Sequence, residues 1–316
     1  MTALLLAAVP TLLYSWLLWR LDCYEKEPVW LLLAAFGWGA LPALLLAGGA
    51  ELGIGQITRN VLGPDAPNQL IAPLIEEPLK ALALVGLFRF AHREFNDVID
   101  GIMYGALVGF GFAMSENLLY FWSNPNQLLS LWLVRSVLFG FNHAFFTSIV
   151  GIALGLVRLE RRRWVGYASL PLALALAILF HALHNMTVAN GLWGLGLAWV
   201  LDTGGVAVVL VVAILARREE QRWLLHHLPD ECNGYVLDSV DLHHVLNPAL
   251  RLRAEVRALV HGGWLVYRHQ RRFHHLVTEL AFLKHQLAVG DRDCCQDDVD
   301  KLRRLVAAQR ALLAPH

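Results

Sequence analysis

Gln69-Leu-Ile-Ala-Pro-Leu-Ile-Glu76-Glu77-Pro-Leu-Lys80-Ala-Leu-Ala-Leu-Val-Gly-Leu-Phe88 reads as a membrane span that carries two adjacent carboxylates. At membrane depth each carboxylate costs several kcal/mol, so the pair calls for proton handling, ion handling or catalysis. Working outward, three more polar groups lie inside apolar runs: Glu116, His143 and His181. The chemistry is therefore expected inside the bilayer.

The rest of the chain agrees. Of its 316 residues 57% are hydrophobic and only 16% charged, with a mean hydropathy of +0.48; soluble domains carry about 25% charged residues. An all-α polytopic membrane protein follows. Seven segments approach the ~20 residues that cross a hydrocarbon core, near 3–19, 29–50, 69–89, 101–122, 130–157, 164–188 and 192–216. The fifth is long for one span, so Leu128–Arg135 is expected along the interface, with Arg135 as an anchor. Residues 1–216 form the membrane core on this reading. Residues 217–316 form a cytoplasmic region of amphipathic helices, chiefly 249–288, interrupted or kinked at Gly262-Gly263, then 297–313.

Basic residues set the orientation. Arg20 and Lys26, Arg89 and Arg93, Arg158 with Arg161–Arg163, and Arg217, Arg218 and Arg222 follow spans one, three, five and seven, whereas the alternate loops hold Arg59 alone. The positive-inside rule then puts the N-terminus outside and the C-terminal region in the cytoplasm, its arginines suited to a surface near anionic lipid. The four cysteines show no CxxC spacing, so no disulfide framework is expected. Ten of fourteen histidines lie beyond residue 217; their adjacent pairs point in different directions and read as solvated helix faces. Nothing suggests nucleic-acid binding.

At 1.5 Å per residue, Glu76, Glu116, His143 and His181 all fall roughly 10 Å below the outer face. Four helices would thus bring polar groups to one level. Lys80 follows Glu76 at i+4 and Glu77 at i+3, so it can neutralise one carboxylate and leave the other, with Glu76 favoured, as a water-activating base. His181, His184 and Asn185 share a helical face, and a His/Asn pair can donate to an oxyanion; His184 is placed outside the site. Asn117 is a candidate orienting group. Asp202 reads as structural or supporting. HExxH, GxSxG and a membrane aspartate pair are all absent, which leaves glutamate plus histidine, acting on water directly or through a metal. A proton- or cation-coupled transporter is the reading from another class, although it predicts internal repeats that are not seen.

These motifs resemble the PrsW family of intramembrane proteases, related to the CAAX prenyl proteases, over about Leu21–Asn185. Asp22-Cys-Tyr-Glu25-Lys-Glu27-Pro28 resembles its acidic loop, and Glu76-Glu77-Pro-Leu-Lys80 its EExxK motif. Asp100–Gly105 leads into Gly109–Tyr120, which is similar to GFAxxEN; His143 matches a lone histidine, and His181-Ala-Leu-His-Asn185 matches HxxxN. The resemblance implies an endopeptidase in a bacterial cytoplasmic membrane that cleaves a membrane-anchored protein, as in anti-sigma-factor proteolysis. It implies catalysis by Glu76, Glu77, Glu116, His143, His181 and Asn185, supported by Lys80 and Asn117. By analogy with CAAX proteases, His181 and Asn185 would form an oxyanion hole, and Glu116 or His143 would partner the base. No cofactor is favoured; a divalent metal such as zinc, held by Glu76, Glu77, Glu116, His143 or His181, is the alternative.

Overall fold

In a computed structural model the described residues are 1–21, 24, 26–92, 94–159, 163–232, 236–290 and 294–313. Asp22, Cys23, Glu25, Arg93, Arg161 and Arg162, used above, lie outside them. The described residues form helices and no strand. In order they are α1 (Thr2–Leu21), α2 (Val29–Trp38), α3 (Leu44–Leu62), α4 (Ala72–Phe90), α5 (Val98–Ser123), α6 (Leu128–Leu131), α7 (Asn142–Leu159), α8 (Arg163–Val188), α9 (Gly191–His227), α10 (Ser239–Leu246), α11 (Pro248–Val289) and α12 (Gln296–Ala311). The protein is an all-α polytopic membrane protein. Among the described residues, six helical stretches are long and apolar enough to cross a membrane: Thr2–Arg20, Val29–Leu62, Val98–Ser123, Pro125–Leu159, Ala168–Val188 and Gly191–Glu231. The expected span at 69–89 is helical, as α4 with the turn Pro67–Ile71 before it. It stands apart because Glu76, Glu77, Lys80 and Arg89 break its apolar run.

The chain divides into two compact units, one ending at Ile214 and the other containing Leu215 onward together with Tyr24. In the first, α5 is the central helix: 83% of its most apolar stretch is buried, against 11% for α1. Asp97 starts α5 by accepting from the Ile99 and Asp100 amides, while Asp100 accepts from Asn96 and Asp97, a reciprocal cap. Three glycines then let α7 approach backbone to backbone. A Cβ at Gly101, Gly105 or Gly109 would stand 2.1 Å from the Gly151 carbonyl oxygen, 2.9 Å from Ser148 Cα and 2.3 Å from the His143 carbonyl oxygen, respectively. Small residues at four-residue spacing are the membrane's way of bringing helices close. Here they fix His143 against α5.

Two segments depart from the simple spans. Pro42 sits in a wide π-helical turn, Gly39–Ala43, between α2 and α3, as expected where a residue lacks its N–H. The helix therefore runs on to Leu62, past the expected end at residue 50. The fifth span is broken: α6 passes into a π-helical stretch, Trp132–Leu138, and the chain turns before α7 starts at Asn142.

The second unit buries Leu224, Leu228, Val236, Leu237, Phe273, Leu280 and Val306 in one core. Glu231 ties it together by accepting from Lys284 at 2.8 Å and Arg303 at 2.7 Å. Within α11, Gly263 has φ 73°, a conformation glycine adopts without strain. The chain reverses there, since Arg251 bonds Thr278 at 3.3 Å and Glu255 bonds His274 at 2.9 Å. What reads as one interrupted helix is a helical hairpin.

Candidate active site

Lys80 is the hub of the polar cluster. Its side chain is fully buried, and Nζ donates to Glu76 Oε2 at 2.9 Å, Glu77 Oε1 at 2.8 Å and His143 Nδ1 at 3.0 Å. An ammonium has three donors and no acceptor, so all three are used. Nζ also lies 3.9 Å from the centre of the Phe112 ring, a cation–π contact away from water. Trp38 fixes this turn of α4 by donating from Nε1 to the Leu79 carbonyl at 2.9 Å.

The lysine contact determines the histidine tautomer. His143 Nδ1 must accept, so its proton sits on Nε2 and is donated to Glu116 Oε2 at 3.0 Å. Glu116 also pairs with Arg135 at 2.8 Å, and Arg135 Nε donates to Asn117 Oδ1 at 2.8 Å while the guanidinium covers Tyr120 at 3.8 Å. Arg135 thus faces the cluster, a correction to its reading as an interfacial anchor: the π-helical stretch turns it toward Glu116. On α8, His181 Nδ1 donates to Glu77 Oε1 at 2.8 Å and its ring stacks on Phe146 at 5.1 Å. His143 and His181 rings are 5.1 Å apart.

Glu76, Glu77, Lys80, Glu116, His143, His181 and Asn117 are therefore linked through direct contacts. Asn185 is not: its amide donates to the Asn68 carbonyl at 2.8 Å. Thr147 bonds back to the His143 carbonyl. His184 belongs to an adjoining chain of contacts, with Nδ1 on Asp202 Oδ2 at 2.7 Å and Nε2 accepting from Asn142 at 3.3 Å. Asn142 in turn accepts from the His143 amide at 2.7 Å. A cavity of about 70 Å³ lies beside these groups, lined by Asn117, Arg135, Asn142, His143 and His184. Glu51, on the extended α3, is within electrostatic reach of Glu76, Glu116, Lys80 and His181. Ending the second span at residue 50 hid it; a lone carboxylate in an apolar helix was the available signal.

The donor chemistry also suits a cation. Glu76, Glu77, His143 and His181 each offer one ligand atom, all within 4.8 Å of one another, and carboxylate plus imidazole is a zinc-type set. Glu77 Oε2 is buried without a hydrogen-bond partner.

The model of the PrsW family of intramembrane metalloproteases matches residues 27–217. The chain belongs to the PrsW family. Protease PrsW of Geobacillus kaustophilus is 33% identical over 180 residues, covering 55% of this chain and 74% of that protein. Protease PrsW of Clostridioides difficile is 27% identical over 57% of this chain and 76% of its own, and that of Bacillus subtilis 30% identical over 52% and 72%. No solved structure matches. As a PrsW-family member the protein is a peptidase of a bacterial membrane, which decides between the peptidase and transporter readings. The PrsW match ends at residue 217, so the second unit lies almost wholly outside it.

Proposed function

We propose that the protein is an intramembrane endopeptidase in which Glu76 activates water against a peptide bond of a membrane-anchored protein. One observation carries this reading. The two carboxylates are neighbours in sequence but not in environment: Glu77's side chain is 0% exposed, whereas Glu76 keeps 9%. Glu77 Oε1 is held by both Lys80 and His181, so its work is positioning. Glu76 is the carboxylate that water reaches. It takes a proton from water as the oxygen adds to the carbonyl carbon, and returns it to the leaving amine. His143, locked between Lys80 and Glu116, closes the other side. His181 Nε2 is the ring nitrogen left to meet substrate, and Asn185 joins it only on leaving Asn68.

In this reading α4 is a seventh span. Its 19 residues cover about 28 Å, and Lys80 offsets one of its two buried carboxylates. The alternation of basic loops then gives an N-terminus outside, the region from 217 in the cytoplasm, and a site nearer the outer face. An anti-sigma-factor-like protein with one span is the substrate class. Replacing Glu76, Glu77 or His181 by alanine abolishes cleavage at unchanged expression; full activity in these variants contradicts the reading.

The unpartnered Glu77 Oε2 favours a second version. There Glu76, Glu77, His143 and His181 hold a divalent ion such as zinc, which would polarise the peptide carbonyl and acidify water. Lys80, already in contact with three of the four, would have to give way. Metal analysis separates the two versions.

A further inference from the structure

The helical hairpin of α11 has an apex that no other described residue of the second unit covers. Val260, Trp264 and Leu265 are 71%, 65% and 65% exposed, and Leu252, Val256 and Leu259 continue the apolar surface down the first leg. Residues 256–267 contain one arginine and one histidine as their only ionisable groups besides Tyr267. Trp264 and Tyr267 lie ring to ring at 5.2 Å. Around this cap stand Arg253, Arg257, Arg268, Arg271 and Arg272; the one acidic residue within 252–278, Glu255, is bonded to His274 at 2.9 Å.

The hairpin's direction is readable within the second unit. Arg217, where α9 enters it, lies over Tyr24 at 5.9 Å, and Arg251 donates to the Tyr24 carbonyl at 2.9 Å. Further along α9, Trp223 stacks on His285 at 4.2 Å. The second leg of α11 therefore runs parallel to α9, with Thr278 near the level of Arg217 and His285 near that of Trp223. Within this unit, going back from Thr278 to Trp264 carries the apex about 20 Å beyond the level of Arg217.

We propose that this apex inserts its apolar cap into the interface of an anionic bilayer, with the arginine collar on the headgroups. Apolar and indole side chains gain at that depth, and each arginine near an anionic surface adds electrostatic attraction. A protein partner would have to match a cap whose collar holds five arginines and one carboxylate already bonded to His274; an anionic lipid surface does so without further design.

Spin labels placed by W264C or V260C, in full-length protein whose four native cysteines are replaced by serine, test this in vesicles of phosphatidylglycerol and phosphatidylcholine. A label placed by L305C, on α12 where Leu305 is 43% exposed, is the aqueous reference. The proposal expects collision with oxygen, relative to a water-soluble nickel chelate, to be several-fold higher at 260 and 264 than at 305, and to fall in pure phosphatidylcholine. Nickel accessibility at 264 equal to that at 305 overturns it. So does a label shielded from both reagents and broadened by a second label, which would mean the cap is covered by another copy of the chain.

Discussion

Lys80 Nζ lies 3.0 Å from His143 Nδ1, so a cation on α4 and an imidazole on α7 are bonded in a fixed sense. The bond puts the His143 proton on Nε2 and aims it at Glu116. It also joins the helix of the two carboxylates to the helix that α5 holds by its glycines. Lys80→Met would leave Glu76 and Glu77 buried without their cation. Removing one member of such a group costs about 3–5 kcal/mol, so the variant loses activity and unfolds at lower denaturant. A wild-type unfolding midpoint would mean that the lysine does not hold the cluster.

The glycine seam sets how closely His143 approaches α5. Gly109→Ala puts a methyl group 2.3 Å from the His143 carbonyl oxygen, and forced repacking of this kind costs about 1–3 kcal/mol. Activity falls more than stability, because the 3.0 Å bond from His143 to Glu116 is displaced. Gly86→Ala on α4 is the control: its Cβ meets nothing within 4 Å, and the change should be neutral or stabilising by up to about 1 kcal/mol. Equal effects in the two variants, measured by turnover and thermal unfolding, would count against the seam.

The second unit should lose stability in acid. Burial holds His274 below its ordinary 6.5, with Arg251 adding to this and the Glu255 bond opposing it. Burial alone would raise Glu255, but the bond from His274 and the nearby Arg251 hold it below 4.5. Both groups bind protons more readily unfolded than folded. The stability tied to His274 is therefore present above pH 6.5 and lost as pH falls from there through its folded value; that of Glu255 is lost below 4.5. Half-buried His275, held below 6.5 by desolvation and the nearby arginines, adds to the first window. Each titrating group gives a slope of up to about 1.4 kcal/mol per pH unit, and His274→Gln should flatten the decline between pH 7 and 5. Hydrogen exchange in residues 273–282 reads this directly, and an unchanged slope in the variant speaks against the assignment.

Chelation separates the two versions of the chemistry. With Lys80 as the resident cation, prolonged treatment with a strong chelator leaves cleavage unchanged and elemental analysis finds no stoichiometric metal. Loss of activity that zinc restores would move the account to the metal-dependent version and displace Lys80 from its three contacts.

Much of this site was legible because charge stands out in an apolar helix. Glu76-Glu77-Lys80 fixed its own i+3 and i+4 contacts, and His143, His181 and Glu116 could be levelled from topology alone. Spacing could not say which neighbours a side chain prefers. Asn185 shares a face with His181 yet bonds Asn68, and His184 finds Asp202 on the next helix. The break before Asn142 was hidden because both faces of that segment are apolar, and with it went the inward turn of Arg135. Gly101, Gly105 and Gly109 were visible at four-residue spacing, but their partner helix was not. In the second unit the glycine pair marked an interruption, while the reversal needed the contacts of Arg251 and Glu255 across the two legs.

The most direct test of the account is cleavage by a Glu76→Gln variant, reconstituted in liposomes with single-span peptides and read by mass spectrometry. The side chain keeps its size and its place beside Lys80 but can no longer take a proton from water. Turnover should fall by about 10²–10⁴-fold with an unchanged melting temperature, and Glu77→Gln should fall with a change in stability because it also releases His181. Cleavage by Glu76→Gln at the wild-type rate would contradict the central claim.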